Sequence, residues 1–240
     1  NQAYQESFSI EQGSTAAVGI ARVMNGLNQG KEAEALLRQI ISVTSNETPA
    51  YDALSDCLMP GDDYQALLGA LHDARNPRTY LEIGVATGNS ICLAGPATRT
   101  IGVDPSPKIQ NALSASTQIF EMTSDSFFDQ ENVAELLGNQ PLDLCFIDGL
   151  HTFDQALRDF INAEKYAGPD SVFLFHDCFA FEEKMASRKR ITTFWAGDVW
   201  KVIPILERYR PDLSLQTIRT SPTGLVTGMD PTSRVLEDSF

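Results

Sequence analysis

From Thr79 onward the chain alternates short apolar runs with amphipathic stretches. The apolar runs are Thr79 to Ile83, Thr100 to Val103, Ile119 to Met122, Leu142 to Ile147 and Ser171 to Phe175. Runs without a polar alternate face predict strands buried on both sides, and their alternation with helix-period segments predicts a parallel sheet covered by helices. Helices are predicted over Asn89 to Ala94, Phe127 to Leu137, Phe153 to Ala167 and Asp198 to Tyr209. The closing pattern differs. Leu213 to Arg219 and Leu225 to Met229, joined through Ser221-Pro-Thr-Gly, predict a hairpin, so the last two strands should be antiparallel.

Ahead of the sheet, apolar residues recur at helical spacing from Thr15 to Leu27 and from Lys31 to Val43, with Asn28, Gln29 and Gly30 as the break. The second segment is similar to the second helix of a tetratricopeptide repeat, and a further helix is predicted after Pro49. One copy does not make a solenoid, and helices that simply cover part of the main domain are the equal alternative. A helix from Asp62 to Asp73 leads to Asn76 and Pro77, where the pattern changes. The expected organisation is a helical extension over 1–75 and a main domain over 76–240.

With 240 residues and 42% hydrophobic composition, the chain can bury one sizeable core and carry an appendage. Eighteen basic against thirty-two acidic residues give a formal charge of −14, a field that repels polyanions, so nucleic acid is not the expected partner. Cys57, Cys92, Cys145 and Cys178 show no C-x-x-C spacing and read as reduced thiols. No run approaches the roughly 18 consecutive apolar residues of a membrane span, and Asn1 to Glu11 lacks the pattern of an export signal. The expectation is a soluble cytoplasmic protein without a membrane partner, with homo-oligomerisation left open.

Tyr80-Leu-Glu-Ile-Gly-Val-Ala-Thr-Gly-Asn-Ser90 places an acid at a strand end, glycines at 84 and 88, and then a helix start. Glycine lets backbone approach a ligand and permits turns other residues resist. A nicotinamide-dinucleotide domain would use G-x-G-x-x-G here, but Ala86 replaces the middle glycine. Glu82, Asp104 and Asp148 all fall at predicted strand ends, an acidic rim better suited to a sulfonium and an ammonium than to a pyrophosphate. The Glu-x-Gly-x-x-x-Gly arrangement resembles motif I of class I S-adenosylmethionine (SAM) dependent methyltransferases. That resemblance implies a doubly wound, mostly parallel seven-stranded α/β sheet closed by an antiparallel hairpin. It implies SAM contacts from Glu82, Gly84, Gly88, Ser90, Asp104 at the ribose hydroxyls, Asp125 at the adenine amino group, and Asp148. Asp125 as a helix cap ahead of Phe127 is the alternative.

Leu142-Asp-Leu-Cys-Phe-Ile-Asp148-Gly-Leu-His151 and Ser171-Val-Phe-Leu-Phe-His176-Asp177-Cys178 resemble the I-D-G-x-H signature and following His-Asp of bacterial small-molecule and sugar O-methyltransferases. Neighbouring strand ends would bring Asp148, His176 and Asp177 together. Two readings stay open. In one, these three hold a divalent ion, Mg²⁺ or Mn²⁺, which lowers the acceptor's pKa. In the other, Asp148 orients a ligand while His151 or His176 removes the acceptor proton. His151 capping the helix near Phe153 is a third use of that residue. Lys184, Arg188, Lys189, Arg190, Trp195, Trp200 and Lys201 form a basic, aromatic insertion after the fifth strand. It reads as a lid over an anionic or sugar-like small-molecule acceptor, or as solvated charge around aromatic anchors. A nicotinamide enzyme on the same fold and a non-catalytic scaffold are the alternatives to methyl transfer.

Overall fold

The computed structural model describes the backbone of residues 2–44, 48–114 and 116–229, and side chains from residue 14 to 228 within those ranges; Asn1 and residues 230–240 of the expected main domain lie outside them. One seven-stranded sheet organises the molecule, in the order β3-β2-β1-β4-β5-β7-β6. β1 (Thr79–Ile83), β2 (Arg99–Val103), β3 (Thr117–Phe120), β4 (Leu142–Ile147) and β5 (Ala167–His176) run parallel. β7 (Leu225–Met229) pairs antiparallel with both β5 and β6 (Ser214–Ile218), as the hairpin pattern requires.

Side-chain alternation along β4 divides two apolar cores. Leu144 and Phe146 face one side, joined by Tyr80, Val172, Leu174 and the Leu68 and Leu71 stripe of α4 (Tyr64–Arg75). Cys145 and Ile147 face the other, against Phe160 of α7 (Phe153–Glu164) and Val202 and Leu206 of α8 (Val202–Tyr209). Asp63 caps α4 by accepting from Ala66 N–H, and Asn76 ends it in the left-handed region.

Two helices depart from the sequence expectation. Asn89 to Ala94 forms only a single 3-10 turn, Ile91–Leu93. Pro96 forbids continuation beyond Gly95, and the buried Ile91 packs onto the sheet over Gly102, where a Cβ would lie 2.5 Å from its Cδ1. Phe127 to Leu137 splits into α5 (Ser124–Gln130) and α6 (Val133–Leu136), because Asn132 accepts from Glu135 N–H and starts a new helix.

The N-terminal helices α1 (Gln2–Gly26), α2 (Gly30–Thr44) and α3 (Thr48–Leu58) share a third core around Leu37, Ile41, Tyr51 and Leu54. Met185 and Ala196, from the segment after β5, complete that core. Tyr51 stacks on Phe194 at 5.4 Å and 8°, Arg38 pairs with Glu182, and Ser55 Oγ donates to the Pro222 carbonyl at 2.8 Å. The helices therefore cover the insertion rather than standing apart. Among the described residues no helix is long and apolar enough to cross a membrane.

Candidate functional site

The C-terminal ends of β1, β2, β3, β4 and β5 open on a cavity of about 630 Å³, within the ordinary range of small-molecule sites. Gly84, Asp104, Asp125, Asp148, His151, His176 and Asp177 all line it. A separate apolar crevice between α4 and β5 holds only about 40 Å³ and no titratable group.

Gly84 adopts φ +91°, and a Cβ there would lie 2.0 Å from the Asp148 carbonyl oxygen, so the β1 and β4 loops can be this close only with glycine. Asp104 Oδ2 accepts from Ala86 N–H at 2.8 Å and Oδ1 from Ser106 N–H at 2.7 Å, which fixes the carboxylate at the end of β2. Glu82, Gly88 and Ser90 are not among the residues that line the cavity. Glu82 is fully buried, accepting from Tyr80 Oη at 2.5 Å and Ser90 Oγ at 2.6 Å. Burial lifts its pKa to about 8, with Asp148 and Asp104 adding to the rise against the pull of the two hydroxyls. The cap of α5 is Thr123, whose hydroxyl accepts from Ser126 N–H; Asp125 lies in the first turn and pairs with Arg158 at 2.8 Å.

At the other end, β5 finishes at His176 and Asp177 turns into the left-handed region at φ +60°, a costly conformation for a non-glycine residue. The turn lets both residues face Asp148. His176 Nδ1 is 3.0 Å from Asp148 Oδ1, its Nε2 is 3.3 Å from Thr223 Oγ1, and Tyr64 packs against its ring. His151 Nδ1 is 2.8 Å from the Trp195 carbonyl and 3.0 Å from Asp177 Oδ2, while its Nε2 is 3.7 Å from Asp148 Oδ1. The carbonyl takes the ring proton's direction, leaving buried Asp177 Oδ2 in ionic contact without a well-aligned hydrogen bond.

Donor atoms of Asp148, His151 and Asp177 all lie within 4.8 Å of one another, the spacing a metal ion requires. That group takes in His151 and not the expected His176, whose Nδ1 nonetheless lies 3.0 Å from Asp148 Oδ1 and 3.7 Å from Asp177 Oδ2. Burial disfavours charge on both imidazoles, yet the two carboxylates outweigh it and raise His151 to about 9 and His176 to about 10. Burial likewise opposes charge on Asp177, but His151 and His176 hold its carboxyl well below the usual range.

His151 does not cap α7. Its ring belongs to the cavity, and Asp198 Oδ1 accepts from Phe153 N–H instead. The insertion clamps this loop: Trp195 stacks on His151 at 5.2 Å, and Gly197, at φ +63°, would place a Cβ 1.8 Å from the His151 carbonyl oxygen. Its basic residues face outward or pair internally. Arg188 meets Asp154 at 2.7 Å, Lys201 meets Asp198 at 3.0 Å, and Lys184 and Lys189 are exposed. Among the described residues no lysine or arginine lines the cavity.

Residues 81–178, from β1 through the end of β5, match the family model described as a methyltransferase domain. No curated protein matches the sequence. Among solved structures, cofactor-bound Rv0187 from MTB is similar at TM-score 0.55 and 17% identity, covering 80% of this chain and 96% of that one. The O-methyltransferase TomG from Streptomyces achromogenes, in complex with SAM, is similar at TM-score 0.52 and 16% identity, covering 68% and 78%. A putative caffeoyl-CoA O-methyltransferase from Staphylococcus aureus gives TM-score 0.51 and 13% identity over 88% and 98%. At these identities the likenesses establish the fold.

Proposed function

We propose that the chain is a SAM-dependent methyltransferase of class I, and that it methylates a hydroxyl oxygen of a small, neutral or sugar-like acceptor; the match of residues 81–178 to a methyltransferase domain supports the first part. The observation that carries the oxygen chemistry is the convergence of His151, His176, Asp148 and Asp177 at one end of the cavity. An alcohol needs help losing its proton during in-line displacement, and a histidine held between carboxylates can take it. Bound SAM supplies the methyl group on a sulfonium.

For the donor, the fit is chemical: Asp104 offers a fixed carboxylate to vicinal hydroxyls, Gly84 brings backbone to the cavity, and the walls carry Asp104, Asp125, Asp148 and Asp177 with no lysine or arginine among the described residues. Glu82, Ser90 and Gly88 support the cofactor by shaping the loop, and Asp125 marks the adenine end. Without ligand, His151 holds its proton at neutral pH. A cation placed in the cavity disfavours imidazolium, so His151 becomes a base only when the site is filled.

The residues also fit a divalent ion. Asp148, His151 and Asp177 would hold it, the mixed oxygen and nitrogen set favouring Mn²⁺ over Mg²⁺. A bound ion would act as a Lewis acid on the acceptor oxygen. The inward pairing of Arg188 and Lys201 favours a neutral acceptor over an anionic one.

Thermal shift separates the readings. Demethylated SAM (S-adenosylhomocysteine) at 100 times its dissociation constant should stabilise the protein by about 2.7 kcal/mol. NAD should produce no shift, and a shift with NAD alone would overturn the proposal.

A further inference from the structure

The side-chain amide of Gln155, on α7, faces three oxygens at once. Its Nε2 lies 3.0 Å from Asp159 Oδ1, 3.1 Å from Asp125 Oδ1 and 3.2 Å from Ser124 Oγ. Two of these are carboxylate oxygens, so the nitrogen must occupy that side; the flipped amide would set Oε1 against both. Asp159 is 1% exposed and cannot swing away to relieve such a clash. Oε1 is thereby held on the opposite side of a residue that lines the cavity, and it accepts no hydrogen bond among the described residues. Asp125 is differently placed: Oδ1 accepts from Gln155 and Oδ2 from Arg158, in a pair about half exposed to solvent.

Resting on the proposed cofactor, we infer that Gln155 Oε1 accepts the exocyclic amino group of the adenine ring. Asp125 and Asp159 are positioning residues that keep the amide the right way round. The transferred methyl must face the Asp148 and His151 end, and Asp104 takes the ribose, so the base is left the corner formed by Thr123, Ser124, Asp125 and Gln155. A neutral carbonyl with a fixed direction suits a neutral amino donor. A half-exposed carboxylate already paired with a guanidinium offers less discrimination.

Calorimetric titration with S-adenosylhomocysteine and its 6-oxo counterpart, S-inosylhomocysteine, tests the contact without an acceptor. Exchanging amino for oxo sets two oxygens face to face, so the wild-type protein should prefer the amino ligand by about tenfold or more. Gln155→Leu should lose most of that preference, and Asp125→Asn should keep most of it. Equal binding of both ligands by the wild-type protein overturns the inference, whether or not either variant folds. So does a preference that survives Gln155→Leu and disappears in Asp125→Asn. If neither ligand binds the wild-type protein, the cofactor itself is wrong, and this contact falls with it.

Discussion

Glu82 is a carboxyl group placed where a charge has no water to meet. Its two hydrogen bonds from Tyr80 and Ser90 brace the start and end of the Gly84 loop, and burial raises its pKa from 4.5 to about 8. An acid whose folded pKa is raised stabilises the fold below its unfolded pKa and loses that contribution as pH climbs through the folded one. Glu82 therefore weakens the protein between about pH 4.5 and 8. His151 and His176 act in the same direction over a higher window: their stabilisation is complete below 6.5 and lost as pH passes about 9 and 10. Thermal denaturation should show falling stability from mildly acidic to alkaline pH. Glu82→Gln should flatten the lower part of that fall, and His151→Gln the upper part; identical slopes in all three proteins would refute the assignment. The acid, the glycines and the His-Asp ending were legible from residue type at strand ends. Gln155 and Thr223 were not, since a polar residue on an amphipathic helix or in a hairpin turn looks the same whether it faces water or a ligand.

The elements carry these residues with unequal legibility. Buried parallel strands announce themselves as unbroken apolar runs, which is why β1 and β4 match their expected limits. The Asn89 to Ala94 segment did not, because a sheet contact and a proline override a pattern too short to nucleate a helix. The insertion after β5 was readable as aromatic and basic, but its grip on His151 depends on Gly197 meeting a carbonyl 46 residues away in sequence, between positions 151 and 197. Gly197→Ala forces that contact apart and should release His151 from the Trp195 carbonyl and Asp177. The His151 titration midpoint, followed by NMR, should then drop from about 9 toward its ordinary 6.5. S-adenosylhomocysteine should still bind, because the Asp104 and Gln155 corner is untouched. An unmoved midpoint would mean the insertion does not set the charge on His151.

At the scale of the whole molecule, the question is whether α1 to α3 form a module of their own. Sequence spacing alone allowed a repeat-like unit, because helical periodicity reports that a face is buried without reporting against what. The face is closed by the insertion: Tyr51 stacks on Phe194, and Met185 and Ala196 lie in the same core as Leu37 and Leu54. The insertion in turn holds the loop bearing His151. Packing is thus continuous from the N-terminal helices to the site, and such continuity couples unfolding of the parts. Leu54 is fully buried in that shared core. Leu54→Ala, about 25 residues before the sheet begins at Thr79, should cost about 2–5 kcal/mol. In calorimetry the full chain should melt in one transition that moves down as a whole in this variant and moves up as a whole with S-adenosylhomocysteine. Two transitions, with Leu54→Ala lowering one and the ligand raising the other, would instead make the helices an independent module resting on the enzyme.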